Sequence, residues 1–124
     1  MLAAKSERRR SRRVFFLKRE DITFGLKKPG EAEALFHVLV KDLSLAGIGF
    51  MLKRTEPVRV RPGDRLMISA VHNSHGTAFL AGSTLQVEWV LDTELLDHIG
   101  FGCSFRDLDK TIRAQLEKYI SAAR

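Results

Sequence analysis

Apolar residues recur at every second position in several short stretches of this chain. The clearest of them contains Leu85, Val87, Trp89 and Leu91, and the polar residues Gln86 and Glu88 separate the first three. Successive side chains of a β-strand point to opposite faces, so this pattern predicts strands with one face in a core. The same reasoning predicts strands at residues 22–26, 37–43, 47–52, 66–71, 77–80, 85–91 and 99–105. Six or seven short strands separated by turn residues predict a mainly β fold, a small closed barrel or sandwich.

The pattern changes at the C-terminal end of the chain. Apolar residues there recur at steps of three and four, namely Leu108, Ile112, Leu116, Tyr119 and Ile120. This spacing places them on one face and predicts an amphipathic helix, with Asp107 or Asp109 as its N-cap. A brief helical turn is also predicted within residues 31–36.

The positive charge of the chain is concentrated at its N-terminus. Residues 1–13 contain six Lys and Arg and one Glu, a net charge of +5, whereas all 124 residues together carry +6. The overall composition, 44% hydrophobic and 29% charged, is that of a soluble globular protein. Because the N-terminal segment has few apolar residues to bury, we expect a flexible basic arm at residues 1–13 and a single domain at residues 14–124.

Several classes of protein are not expected from this sequence. No apolar run approaches the ~20 residues that a membrane span needs, and no apolar segment follows the N-terminal charges as in a secretory signal. The single cysteine, Cys103, rules out an intramolecular disulfide and favours a reducing cytoplasm. His72 and His75 lack an evident third ligand, so no metal site is predicted. The sequence contains neither a phosphate-binding loop nor a nucleophile elbow, so an enzyme is not expected.

The N-terminal arm contains arginines four residues apart, either Arg9 and Arg13 or Arg8 and Arg12. Arginine offers a planar pair of donors that fits a phosphate or the O6/N7 edge of guanine. We prefer the pair Arg9 and Arg13, because Val14 directly afterwards begins the first apolar stretch. Taken alone, such an arm is also typical of a solvated tail or a non-specific polyanion binder.

A second polar group, formed by Asp42, Ser44 and Gly47, lies between two predicted strands. A carboxylate accepts from the N1–H and 2-amino groups of guanine, a hydroxyl bonds to a phosphate or a base edge, and glycine lets a flat ring approach the backbone. With the arginines, these residues fit a small anionic guanine nucleotide better than long duplex DNA. They are equally able to cap a turn through local hydrogen bonds or to form a bulge.

Taken in order, these residues resemble the PilZ domain, a family of bacterial receptors for cyclic di-GMP. The family resemblance implies a six-stranded antiparallel β-barrel with a C-terminal helix and with the arm folded over one rim. It covers nearly the whole chain and rests on Arg9-xxx-Arg13-Val14, on Asp42-x-Ser44-xx-Gly47, on the segments 87–89 and 99–105, and on the closing helix.

The same resemblance implies which residues bind the ligand. In that family the arginines hold guanine edges and phosphates, the Asp and Ser contact the ligand from the barrel, and the glycine keeps the turn clear. Cyclic di-GMP is then the ligand, and no other cofactor is implied. The candidate binding residues are Arg8, Arg9, Arg13, Asp42, Ser44 and Gly47.

This assignment predicts a mechanism in which the ligand neutralises and orders the flexible arm, and a partner protein reads the reshaped surface. Two alternatives remain open: a small barrel that binds RNA or single-stranded DNA through its arm and aromatic residues, and a PilZ-like domain that has lost ligand binding and acts through protein contacts. Nucleic acid is the less favoured partner. Five aromatic residues could stack bases, but strand alternation places most of them in the core; the five are Phe15, Phe16, Trp89, Phe101 and Phe105.

Overall fold

The computed structural model of the protein describes residues 12–16, 20–29, 35–56, 58–73, 75–93 and 97–123. Within these residues the chain forms strands and a C-terminal α-helix, joined by turns and a short 3₁₀-helix at Ala78–Leu80. The helix, α1, spans Lys110–Ala122. The strands are β1 at Val14–Phe15, β2 at Thr23–Lys27, β3 at Leu35–Leu43, β4 at Gly47–Lys53, β5 at Arg65–His72, β6 at Thr84–Leu91 and β7 at His98–Arg106.

Strands β2 to β7 form a closed antiparallel barrel. Their order around the sheet is β3-β2-β5-β6-β7-β4, and pairing between β3 and β4 closes the ring. Closure satisfies the backbone hydrogen-bonding groups that an open sheet leaves at its edges. The two-residue strand β1 pairs with the end of β3 that lies beyond β2. The six-stranded antiparallel barrel with a C-terminal helix is therefore confirmed.

The core of the barrel is filled by aromatic and branched side chains from alternate strand positions. The fully buried ring of Phe50 lies 5.3 Å from that of Phe101 and 6.0 Å from that of Phe24, measured between ring centroids. Helix α1 contributes Leu116 and Ile120 to the same core cluster. The helical spacing in the sequence thus does supply a buried face to the barrel.

Both ends of α1 are held by side chains. At its start, the Asp109 carboxylate accepts a hydrogen bond from the backbone N–H of Thr111, so Asp109 is the N-cap. At its end, the Arg12 guanidinium donates to the carbonyl oxygen of Ala123 at 3.0 Å. A cation at this position also interacts favourably with the negative end of the helix dipole. The residues that lead into β1 are thereby joined to the end of the chain.

The strand predicted at residues 77–80 is wrong. Thr77 precedes the 3₁₀-helix Ala78–Leu80, in which Leu80 is fully buried while the ring of Phe79 lies 6.3 Å from that of Tyr119. These two apolar neighbours pack against the barrel core and α1 respectively, so the segment turns instead of extending. Of the helical turn predicted at residues 31–36, residues 31–34 lie outside the described residues and the remaining two belong to β3.

The alternation predicted for β6 holds only as far as Val87. A register shift between Val87 and Trp89 places an additional residue, Glu88, in the strand. After this β-bulge the phase of the pattern reverses, so that Val90 packs against the core whereas Trp89 and Leu91 are 44% and 55% exposed. The interpretation of Trp89 and Leu91 as inward-facing residues is therefore wrong, and the cause is the bulge.

Candidate functional site

A row of paired residues crosses five neighbouring strands on the outer face of the barrel. Each member is the register partner of the next, so the row runs from β1 through β3, β4 and β7 to β6. The two end residues are exposed aromatics, the second is a buried carboxylate and the other two are glycines. We call this the outer row: Phe15, Asp42, Gly49, Gly102 and Trp89.

Two β-bulges create the outer row. In β3, the side chains of Val38 and Val40 point into the core, so strict alternation would also point Asp42 inward. A register shift between Val40 and Asp42 interrupts this alternation. The Asp42 carboxylate consequently lies on the outer face, within 3.1 Å of the place where Gly49 would carry a Cβ atom. The bulge at Glu88 has the same effect on Trp89. Bulges commonly re-aim side chains in this way beside functional sites.

The middle of the outer row lacks side chains because its neighbours occupy the space. A Cβ atom on Gly49 would lie 2.8 Å from the Asp42 carboxylate, and one on Gly102 would lie 2.2 Å from Nε1 of Trp89. On Gly47, a Cβ atom would meet the carbonyl oxygen of Cys103. Gly47 is thus required for the close approach of β4 and β7; it is not among the glycines with a positive φ angle.

Arg13, the last residue of the arm, forms an ion pair at the outer row. Nη1 of Arg13 lies 3.0 Å from Oδ1 of Asp42, and the bond is both a hydrogen bond and a salt bridge. Asp42 is only 5% exposed, whereas the Arg13 side chain is half exposed. Charge-assisted bonds of this kind hold geometry more firmly than neutral ones. Asp42 therefore fixes the direction of Arg13, leaving part of the guanidinium open to solvent.

Ser44 lies one residue beyond the end of β3 and is 2% exposed. Its Oγ accepts hydrogen bonds from the backbone N–H groups of Ala46 and Gly47, each at 3.2 Å. The N–H of Ser44 in turn donates to the carbonyl oxygen of Gly47 at 2.9 Å. These local bonds are those of a turn cap, the alternative role noted from the sequence. They hold the β3–β4 turn beside the outer row.

An open pocket lies over the glycines of the outer row. Ser104 donates a hydrogen bond of 2.6 Å from its Oγ to Oε2 of Glu88, which stands next to Trp89. Cys103 also lines the pocket, and burial raises the pKa of its thiol to about 12, with a smaller contribution from the charge of Glu88. The residues lining the pocket include Arg13, Ser44, Gly47, Glu88, Trp89 and Ser104.

The structure brings some of the candidate residues together and leaves others undescribed. One pocket is lined by Arg13, Ser44 and Gly47. Asp42 is joined to this pocket by its hydrogen bond from Arg13. Arg8 and Arg9 lie outside the described residues, as does most of the arm. Sequence reasoning missed Glu88 and Trp89 as site residues, because strict alternation assigns the tryptophan to the core and gives the glutamate no partner.

Within the part of the chain that the structure describes, no three side chains of His, Cys, Asp or Glu come together as a metal site. Its α-helix, with 13 residues, is too short to cross a bilayer.

A barrel of this form with these motifs can be compared with known families. A family model described as the PilZ domain matches residues 7–122, almost the whole sequence. The chain belongs to the PilZ domain family. A comparison with curated proteins gave no match.

Several solved structures share the fold of this chain. The PilZ domain with c-di-GMP of YcgR from Escherichia coli is 18% identical, with a TM-score of 0.66 over 93% of this chain and 90% of that one. The inhibitor of motility MotI/DgrA from Bacillus subtilis is 14% identical, with a TM-score of 0.62 over 92% and 49%. The MrkH–c-di-GMP complex of K. pneumonia is 16% identical, with a TM-score of 0.62 over 90% and 50%. This chain spans about half the length of the last two proteins.

Proposed function

We propose that this PilZ domain is a cytoplasmic receptor for cyclic di-GMP and not an enzyme. The ligand would lie on the outer row, in the pocket bordered by Arg13 and Trp89. The observation that carries the proposal is the ion pair between Arg13 and Asp42, which holds a half-exposed guanidinium at the edge of the pocket that Trp89 also lines. Two of the structural neighbours are described as complexes with the same dinucleotide.

The chemistry of the pocket matches that of the ligand. The half-exposed guanidinium of Arg13 suits a phosphate or the O6/N7 edge of guanine. The indole of Trp89 covers Gly102 and is 44% exposed, so its outward side is a surface on which a base can stack. In this proposal Asp42 acts by positioning Arg13, and Ser44 acts by holding the turn. Both residues thus act by holding other parts of the site in place.

The remaining contacts of the proposal come from the arm. Arg8 and Arg9 would complete the set of cations around the two phosphates of the ligand. Ordering the backbone costs about 1–2 kcal/mol per residue, so several charge-assisted bonds are needed to hold the arm on the barrel. An ordered arm would change the surface next to Arg13, and a partner protein that recognises this surface would receive the signal.

A second candidate function is supported by one observation. Phe15 is 66% exposed and Trp89 is 44% exposed, at opposite ends of the outer row. Exposed aromatics beside a basic arm are also what a barrel uses to bind RNA or single-stranded DNA without sequence preference. A PilZ domain that acts through protein contacts alone is the third possibility, and it predicts no dinucleotide binding.

A calorimetric titration with cyclic di-GMP separates these functions. The receptor predicts saturable binding that GTP does not displace, and Arg13→Ala is expected to weaken it by about tenfold or more, the effect of losing a charged hydrogen bond. Arg113→Ala, which removes the same charge from the exposed face of α1, is the matched control and is expected to bind normally.

The titration is repeated at several salt concentrations. A polyanion binder would lose affinity linearly in log salt and would accept oligonucleotides and GTP as well. If the native chain fails to bind cyclic di-GMP at every salt concentration tested, the receptor proposal is contradicted. That result would favour a domain that acts through protein contacts alone.

A further inference from the structure

Glu88 is the residue of the pocket that the cyclic di-GMP motifs leave unexplained. It is the additional residue of the β6 bulge, so Glu88 and Trp89 are consecutive and both are exposed. A regular strand would send one of the two side chains into the core. The bulge instead presents a carboxylate and an aromatic ring side by side in the lining of the pocket.

The two oxygens of the Glu88 carboxylate differ in their partners. Oε2 accepts the short hydrogen bond from Ser104 Oγ at 2.6 Å. No donor among the described residues reaches Oε1. An ionised carboxylate has about four acceptor sites, so one bond from Ser104 orients the group and leaves most of its capacity open to the pocket.

Asp42 cannot offer the same capacity. Its carboxylate is 5% exposed, is bonded to Arg13 and lies against Gly49. Glu88, in contrast, is exposed and lines the pocket directly. A negative group in a site for a phosphate ligand is unfavourable unless it faces hydrogen-bond donors of that ligand, because like charges repel.

Guanine supplies such donors. Its N1–H and 2-amino groups lie next to each other on one edge, and a carboxylate accepts from both. Adenine offers one amino group beside a ring nitrogen that carries no proton. A carboxylate does not bond to this nitrogen, because both are acceptors. A base stacked on Trp89 would have its edge close to the neighbouring residue of the strand, which is Glu88. Stacking on an aromatic with hydrogen bonds to the base edge is the usual way in which proteins read single bases.

We infer that Glu88 reads the Watson–Crick edge of a guanine base stacked on Trp89, and that Ser104 is the positioning residue for its carboxylate. This inference rests on the proposed function of the same pocket. It assigns base selectivity to the β6 bulge, whereas phosphate attraction is left to the arginines. It thereby gives the pocket a reason to prefer guanine to adenine dinucleotides.

The test compares three ligands, cyclic di-GMP, cyclic di-IMP and cyclic di-AMP, by calorimetry on the full chain. Cyclic di-IMP retains N1–H but lacks the 2-amino group. For the native protein we expect cyclic di-GMP to bind about tenfold or more tightly than cyclic di-IMP, the factor for one hydrogen bond to a charged group. Glu88→Gln is expected to lower the affinity for cyclic di-GMP by about tenfold and to bring the ratio of the affinities for cyclic di-GMP and cyclic di-IMP close to one. The affinity for cyclic di-AMP is expected to stay the same or to rise, because a like charge has been removed.

Two further variants test the role of Ser104 and serve as a control. Ser104→Ala is expected to lower the same ratio in part, and Glu117→Gln, an exposed carboxylate on α1, is expected to leave it unchanged. If native protein binds cyclic di-GMP and Glu88→Gln keeps the native ratio, the inference is overturned while the receptor function stands. If native protein binds no cyclic di-GMP, both are overturned.

Discussion

The indole ring of Trp89 lies directly over Gly102, so close that a Cβ atom on this glycine would stand 2.2 Å from Nε1 of the ring. Gly102→Ala therefore has to displace the ring. We expect the free energy of unfolding to fall by about 1–3 kcal/mol, as for other overpacked sites, and the affinity for cyclic di-GMP to fall with it. Urea unfolding and calorimetry measure the two effects.

The matched control is Gly100→Ala, two residues earlier in the same strand. A Cβ atom there would lie 3.8 Å from the indole and 3.9 Å from Cβ of Leu91, which are ordinary contact distances. We expect this variant to retain native stability and affinity. Equal effects of the two substitutions would show that the position of Trp89 over Gly102 has no special importance.

Two adjacent arginines make different contacts and should behave differently. Arg13 bonds to Asp42 at the pocket, whereas Arg12 bonds to the carbonyl oxygen of Ala123 at the end of α1. We expect Arg13→Ala to weaken cyclic di-GMP binding by about tenfold or more, and Arg12→Ala to change it by less than about threefold. Calorimetry on the two variants checks this. The opposite order of effects would favour Arg8 and Arg12 as the binding pair.

The ion pair between Arg13 and Asp42 also predicts a coupling in stability. Arg13→Ala leaves the buried carboxylate without its described partner, so we expect a loss of about 1–2 kcal/mol of unfolding free energy. Asp42→Asn added to Arg13→Ala removes the unpaired charge and is expected to recover part of this loss. A double-mutant cycle by urea unfolding measures the coupling, and strictly additive effects would mean that the pair contributes nothing.

The Cys103 thiol predicts a pH dependence of stability. Burial raises its pKa from 9.0 to about 12, and the charge of Glu88 adds to the shift. Below pH 9.0 the thiol is neutral in both states; between pH 9.0 and 12 it ionises in the unfolded chain but not in the folded one. The buried neutral thiol therefore makes its full contribution to the free energy of unfolding below pH 9.0. This contribution decreases as the pH rises through the window, by at most about 1.4 kcal/mol per pH unit.

Urea unfolding across this pH window is the measurement, with Cys103→Ala as the comparison. This variant is expected to show a shallower slope than the native protein. Part of the slope should remain, because burial also raises the pKa of Tyr119, helped by the charge of Glu20. Identical slopes for the two proteins would contradict the assignment to Cys103.

The sequence predicts the strands and the helix well because their periods are regular. In β7, Phe101 and Cys103 are buried as alternation requires, and the buried Leu116 and Ile120 of α1 follow helical spacing. A period fails where a bulge changes its phase. Strict alternation puts Asp42 inside and Trp89 inside, and one additional residue in each strand turns both outward.

The candidate site could be predicted only in part for the same reason. Asp42, Ser44 and Gly47 are recognisable as a motif, but their contacts are not: the carboxylate orients Arg13, and the hydroxyl caps the β3–β4 turn. Trp89 depends on a cross-strand pairing with Gly102, more than ten residues away in sequence, which no local pattern encodes. Bulges and cross-strand neighbours are therefore the information that the sequence alone did not supply.

Trp89 is the only tryptophan of the chain, and it borders the proposed ligand pocket. Its fluorescence during a titration with cyclic di-GMP is therefore the most direct measurement of where the ligand binds. We expect a saturable change in emission for the native protein, no comparable change with GTP, and a shift of the curve to higher concentration in Arg13→Ala. Emission that stays constant at ligand concentrations that saturate the calorimetric titration would contradict binding on the outer row.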